Sequence, residues 1–235
     1  MSAAKGDDFF DVGIELDEAL KKMTASGKKL LIGVDEVSKT KEMVVFAAEF
    51  GKWLREGYAV YLVCTGLYET IEQLANVKNL TFFRRATTVK TEPLNAIRMA
   101  EAYKQQLGVD TDEAKKLANL TKGYAYAFQE LGILYFKNGK KSSLEDLCSE
   151  LKTELFAYAY EKIWEELTEE DRELARLLTD KEENKREHIL SKMSKPGNYS
   201  VYRDRLIKRG IINARQAYIS LALPFFGEYI KEYGM

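Results

Sequence analysis

Leu30-Leu31-Ile32-Gly33-Val34-Asp35-Glu36 is the stretch on which the fold turns. Five continuous apolar residues are too few for a helix and read as a strand buried on both faces, as in parallel sheets. Downstream, Val44, Ala47, Ala48, Phe50, Trp53 and Leu54 mark a helical stripe between Lys41 and Glu56, and Gly57 closes it. Tyr58 to Thr65 (YAVYLVCT) is a second strand rich in β-branched and aromatic residues. Strand, helix and strand make a β–α–β unit, which predicts a parallel sheet with the helix across one face.

Working outward, Ile14, Leu16, Ala19, Leu20 and Met23 predict a helix over 14–25, ended by Gly27. After the second strand, Gly66-Leu67 leads into a helix from Tyr68 to Ala75, and Ala86–Lys90 reads as a short third strand. From Pro93 the pattern is helical almost throughout. Thr111 is the expected cap of a helix opening on Asp112 and Glu113, and acids suit that end. Ala125–Phe136 is strongly apolar, and 137–141 (KNGKK) reads as a loop. Further helices are expected near 142–166, 169–179 and 185–193. Lys195-Pro196-Gly197-Asn198 has turn chemistry, and Tyr199–Arg209 is a short amphipathic helix stopped by Gly210. Ile211-Ile212 and Tyr218–Leu223 are strand-like, and Pro224 opens a last helix.

Composition narrows the class. The 235 residues carry 36 Lys plus Arg against 37 Asp plus Glu, a net charge of −1. Global charge therefore does not announce a nucleic-acid binder. An apolar fraction of 46% supports a real core, and three prolines leave room for long helices. Two cysteines and one histidine, His188, leave no Cys/His zinc cluster and no Ser-His-Asp triad. Cys64 and Cys148 are expected to be small reduced core thiols, as suits a cytosolic protein. No stretch approaches the roughly 18 apolar residues that span a bilayer, and the N-terminus lacks signal-peptide character. A soluble, cytoplasmic protein without membrane contact is expected.

Asp35 and Glu36 stand at the C-terminal end of a parallel strand, where open α/β sheets bind ligands. In phosphoryl-transfer sites an acid there holds Mg²⁺ and a neighbouring acid orients the attacking water. The other reading is that Asp35 caps the next helix and Glu36 is merely solvated; the spacing leaves both open.

The order of features resembles P-loop ATPases of the AAA+ and STAND group, especially the origin-recognition-like ATPases of prokaryotes. LLIGVDEV (30–37) is similar to their Walker B strand, YAVYLVCTG (58–66) to the sensor strand, TFFRRA (81–86) to the arginine-bearing segment before the last strand, and LTKGYAYAFQELG (120–132) to the second helix pair of the lid. The resemblance implies a metal-binding Asp35 acting through water, Glu36 activating the hydrolytic water, and Thr65 reporting on the γ-phosphate. It also implies an Arg85, or failing that Arg84, that reaches a phosphate or a neighbouring subunit, with ATP and Mg²⁺ as cofactors of an intact parent. For Thr65 the alternative is a plain strand end, and for the arginines a solvated pair. In the lid stretch Tyr124, Tyr126 and Phe128 are expected in the core, with no arginine for a phosphate.

The largest departure is the absence of any G-x-x-x-x-G-K-[S/T], the loop whose backbone N–H groups and lysine hold phosphates. The chain thus reads as an ATPase that begins partway through its nucleotide domain, unable to bind or hydrolyse ATP by itself. In the family the first strand lies between the sensor strand and the last one. Its loss leaves a slot in the sheet that must be filled or covered, which raises the expectation of a homo-oligomer.

Residues 154–235 read as three helices, a β-ribbon and a terminal helix. NYSVYRDRLIKRGII (198–212) resembles the recognition helix and first wing strand of winged-helix domains, with Val201, Leu206 and Ile207 toward the core. Between 185 and 215 nine basic residues face two acids, a local charge of +7. Tyr199, Tyr202, Arg203, Arg205 and Arg209 are the candidate contacts to duplex DNA; a solvated face on a protein-interaction module is the alternative. The expected fold class is α/β plus all-α: a partial parallel P-loop-type sheet over 1–95, a helical lid over 96–150 and a winged helix over 151–235. The expected function is the C-terminal part of an ATP-dependent switch ATPase, or else a non-enzymatic DNA-binding or adaptor module on that scaffold.

Overall fold

The computed structural model describes residues 8–78, 80–138 and 141–234, with the side chains of 8–13 and 81 outside that description. The chain divides into two compact units, Met1–Val89 and Lys90–Met235.

The first unit runs α1 (Asp8–Ala25), β1 (Leu30–Val34), α2 (Lys41–Arg55), β2 (Val60–Cys64), α3 (Tyr68–Ala75) and α4 (Thr81–Arg85). The strands pair in parallel, from Leu30 opposite Val60 to Val34 opposite Cys64, as the β–α–β pattern predicts. Helix α2 starts where the Thr40 hydroxyl accepts from the Met43 N–H at 3.1 Å. Alternate strand residues meet the helices. Leu30, Ile32, Val60 and Leu62 pack with Leu20, Phe50 and Trp53, while Val34 and Cys64 join Ala47, Leu74 and Leu80.

Two expectations fail in this unit. Ala86–Lys90 is irregular rather than a third strand, and among the described residues the sheet holds β1 and β2 alone. The strands are also not buried on both faces. Leu31, Tyr61 and Val63 point away from the helices and are 66%, 50% and 55% exposed. A continuous apolar run signals two-sided burial only when something covers the second face, and the described residues of the first unit leave these three side chains exposed. Covering such a side chain is worth about 1.5–3 kcal/mol.

The second unit runs α5 (Ala96–Leu107), α6 (Thr111–Leu120), α7 (Ala125–Asn138), α8 (Leu144–Leu155), a π-helical turn (Phe156–Tyr160), α9 (Glu161–Glu165), α10 (Glu169–Leu177), β3 (Asn184–Lys185), α11 (Arg186–Lys192), a 3-10 turn (Pro196–Asn198), α12 (Tyr199–Lys208), β4 (Ile212–Arg215), β5 (Tyr218–Leu221) and α13 (Phe226–Tyr233). Asp110, not Thr111, caps α6, because its carboxylate accepts from the N–H groups of both Asp112 and Glu113 at 2.9 Å. The expected loop at 137–141 starts later, since 137 and 138 still belong to α7, and 139–140 lie outside the described residues.

The three short strands form an antiparallel sheet in the order β3-β5-β4, with Ile219 between Asn184 and Ala214. A single core reaches from Met99 on α5 to Ile230 on α13, so residues 96–150 and 151–235 share one interior. Tyr124, Tyr126 and Phe128 pack against it, as expected. At its centre the Tyr160 hydroxyl donates to the Pro224 carbonyl, and Tyr160 meets Phe226 edge-on at 4.9 Å. Cys64 and Cys148 are both free thiols, and burial pushes each thiol's pKa up. Among the described residues no helix is long and apolar enough to cross a membrane.

Candidate functional site

Parallel pairing of β1 and β2 brings Asp35 and Thr65 together where both strands end. The ladder continues past the strands: the Thr65 N–H donates to the Val34 carbonyl at 2.9 Å, and the Val37 N–H to the Thr65 carbonyl at 2.8 Å. The Thr65 hydroxyl donates to Asp35 Oδ1. The Glu36 N–H donates to the same Asp35 oxygen at 3.1 Å and to Thr65 Oγ1 at 3.3 Å. Backbone curvature makes this possible, since Glu36 sits in the left-handed region at φ 51, an uncommon place for a residue other than glycine. Val37 then plunges into the core at 3% exposure and anchors the turn. Gly66 permits the close approach: a Cβ there would lie 3.1 Å from the Val37 carbonyl oxygen.

Asp35 does not cap α2, because Thr40 does, and Thr65 does more than end its strand. Asp35, Glu36 and Thr65 are all exposed, so the cluster faces solvent. Arg84 has a structural use: its guanidinium donates to the Ala75 carbonyl and to Asn76 Oδ1, both at 3.1 Å, closing the C-terminal end of α3. Arg85 is exposed and makes no hydrogen bond or ion pair with the Asp35–Thr65 cluster. The segment carrying both arginines is the helix α4, not an approach to a strand.

The residues present fit only part of a Mg-nucleotide. Asp35 and Glu36 offer oxygens of the kind Mg²⁺ takes through water. Among the described residues, however, no group of three His, Cys, Asp or Glu side chains is placed to hold a metal. A phosphate cradle with its lysine is absent from the sequence.

The second candidate region corrects several sequence expectations. Helix α12 buries Tyr199, Tyr202 and Leu206, whereas Val201 is 60% and Ile207 38% exposed. The inward stripe thus runs through the tyrosines, not through Val201 and Ile207. With their rings inside, Tyr199 and Tyr202 are not positioned for base contact. The arginines are largely engaged within the fold. Arg205 grips the buried carboxylate of Asp171 through two 2.7 Å contacts and also donates to the Thr168 hydroxyl. Arg209 donates to the Glu166 carbonyl at 3.3 Å, and Arg203 pairs with its neighbour Asp204 at 2.6 Å. Sequence spacing revealed none of these partners, because they lie near the start of α10, more than 30 residues away, or depend on rotamer.

Comparison with known proteins fits this picture. The profile of a domain of unknown function, DUF8462, matches residues 157–230. No curated protein matches. Among solved structures, the Walker-type ATPase PABY2304 of Pyrococcus abyssi is similar, with a TM-score of 0.63 at 14% identity over 92% of this chain and 67% of that one. The fold is accordingly ATPase-like, a mixed helical structure with a small parallel sheet.

Proposed function

We propose that this chain is the C-terminal part of an ATP-dependent switch ATPase of the AAA+/STAND kind, and that it does not bind or hydrolyse ATP by itself. The observation that carries this reading is the Asp35–Thr65 hydrogen bond at the C-terminal ends of two adjacent parallel strands. That is where a Walker B acid and a sensor residue would face a nucleotide. Beside them, among the described residues, no third strand joins β1 and β2, and Leu31, Tyr61 and Val63 are exposed. A strand–loop–helix segment bearing the phosphate cradle, supplied from outside these residues, would satisfy both. In the completed site Asp35 would hold Mg²⁺ through water, Glu36 would orient the attacking water, and Arg85 would reach a phosphate or a neighbouring subunit.

Calorimetry of the chain with Mg-ATP tests the proposal. We expect no stoichiometric binding in the micromolar range, and tight one-to-one binding would overturn it.

In the second unit the order helix, strand, helix, helix, strand, strand over 169–221 supports a winged helix. The engagement of Arg205 and Arg209 within the fold favours a protein-adaptor role for it over DNA contact. Duplex binding that weakens steeply with salt would reverse that preference.

A further inference from the structure

A cleft of about 630 Å³ in the second unit lies between the C-terminal part of α6 and the region of β5 and α13. Lys116, Lys122, Lys181 and Lys231 line it, from three separate stretches of chain: α6 with the turn that follows it, the segment after α10, and α13. None of the four makes an ion pair or a side-chain hydrogen bond among the described residues. Elsewhere in the unit, by contrast, Lys192 pairs with Asp180 at 2.8 Å and Lys195 with Glu170 at 3.1 Å. Of the two acids in the lining, Glu228 is taken up by Lys152 at 2.6 Å; Glu182 remains, and Asp180, paired with Lys192, also feels the charge of Lys231. The backbone at Lys122 is tightly turned. Lys122 and Gly123 are consecutive left-handed residues, φ 49 and 82, and the Gly123 carbonyl accepts from the Leu94 N–H at 2.8 Å.

Between the lysines the lining is apolar: Leu120, Leu144, Leu178, Leu223 and Phe225. In a chain of net charge −1, clustered cations around an apolar surface favour a ligand with negative charge and aliphatic or aromatic anchors. We propose that this cleft docks an acidic peptide segment of a partner protein, its carboxylates on the lysines and its Leu- or Phe-type side chains against the leucines. Nucleic acid fits less well. Stacking needs an open ring, and the one ring in the lining, Phe225, has the Lys152 ammonium 5.0 Å from its centroid.

The test is to pan a library of random dodecapeptides against the full chain, with counter-selection on the K122E/K181E double variant. Both positions are exposed, so the variant should keep the wild-type circular dichroism and melting temperature. The expected result is enrichment of peptides combining Asp or Glu with Leu or Phe. Their affinity should fall about tenfold in the double variant and severalfold in L144S, since Leu144 is exposed at the cleft. No enrichment, enrichment of basic or uncharged peptides, or affinity indifferent to the variants would overturn the proposal. So would a duplex oligonucleotide that binds more tightly than the peptides and is lost in K122E/K181E. Mg-ATP titration has no bearing on any of these readouts, so this proposal and the ATPase reading fail separately.

Discussion

The hydroxyl of Thr65 donates a hydrogen bond to the carboxylate of Asp35 across the ends of two parallel strands. The two residues are 30 apart in sequence, and only the β1–β2 register unites them. Both are exposed, so the contact is weak as a source of stability. Thr65→Val and Asp35→Asn should each cost less than about 1 kcal/mol in urea unfolding. A loss well above that would make the pair a structural clasp rather than the remnant of a site.

How legible this was from sequence differs by element. The β–α–β unit could be read because β1 and β2 are short apolar runs separated by one amphipathic helix, and each signal is local. Asp35 and Thr65 could be placed together because parallel pairing follows from that order. The face carrying Leu31 and Val63 could not be read, because burial of a strand depends on what covers it. The inward face of α12 is not legible in the sequence for a similar reason: with Tyr199, Val201, Tyr202, Leu206 and Ile207 all able to face inward, the sequence allows two stripes, and packing in the core selects Tyr199, Tyr202 and Leu206. Of the cleft lysines, Lys116 and Lys122 flank the end of α6, but Lys181 and Lys231 come from distant parts of the chain, and no spacing rule joins them to it.

The open sheet face should make the chain self-associate. Leu31→Thr combined with Val63→Thr keeps β-branched character at one position and introduces it at the other, while lowering surface hydrophobicity. Sedimentation should show concentration-dependent association for the wild type and a monomer for the variant. Because both residues are exposed in the single chain, the stability of the variant at low concentration should change by no more than about 0.5 kcal/mol per site. A monomeric wild type would remove the argument for association through this face.

Gly123 should tolerate no side chain. Its φ is 82, and a Cβ would lie 2.9 Å from both the Leu94 carbonyl oxygen and Pro93 Cβ. Gly123→Ala therefore adds backbone strain and a clash, and should destabilise the second unit by about 1–3 kcal/mol. Gly197→Ala is the control, with negative φ and open space around it. Thermal melts of the two variants should differ clearly.

The Asp171–Arg205 pair makes the second unit sensitive to one charge. Asp171 is 1% exposed, and Arg205 is its ion-pair partner at 2.7 Å. Arg205→Ala strands a buried carboxylate, which should cost about 3–5 kcal/mol. Asp171→Ala leaves a guanidinium that is still 31% exposed and can recover part of its hydration, so it should cost less. Chemical denaturation of both variants checks the order. The same experiment guards any DNA-binding assay, because lost affinity in Arg205→Ala would first have to be separated from lost folding.

The buried tyrosines should give the second unit an alkaline limit. Burial raises the phenol pKa of Tyr160 far above its ordinary 10.0, with a smaller contribution from nearby Tyr124, and burial alone raises that of Tyr103. Tyr160 is fully buried and hydrogen-bonded to the Pro224 carbonyl, while the Tyr103 hydroxyl donates to the Phe128 carbonyl at 2.6 Å. A raised folded-state pKa means that the native state holds the proton more tightly than the unfolded chain does. The resulting stability is fully present below pH 10 and declines as pH rises above it, because the unfolded phenols ionise first. An alkaline titration followed by phenolate absorbance and circular dichroism reads this out. The last groups should ionise only together with loss of helical circular dichroism. In Tyr160→Phe the Pro224 carbonyl loses its donor, so stability at neutral pH should fall by about 1–3 kcal/mol, but its decline above pH 10 should become shallower. If all phenols titrate in one step near pH 10 with the helices intact, Tyr160 is not enclosed as the fold places it.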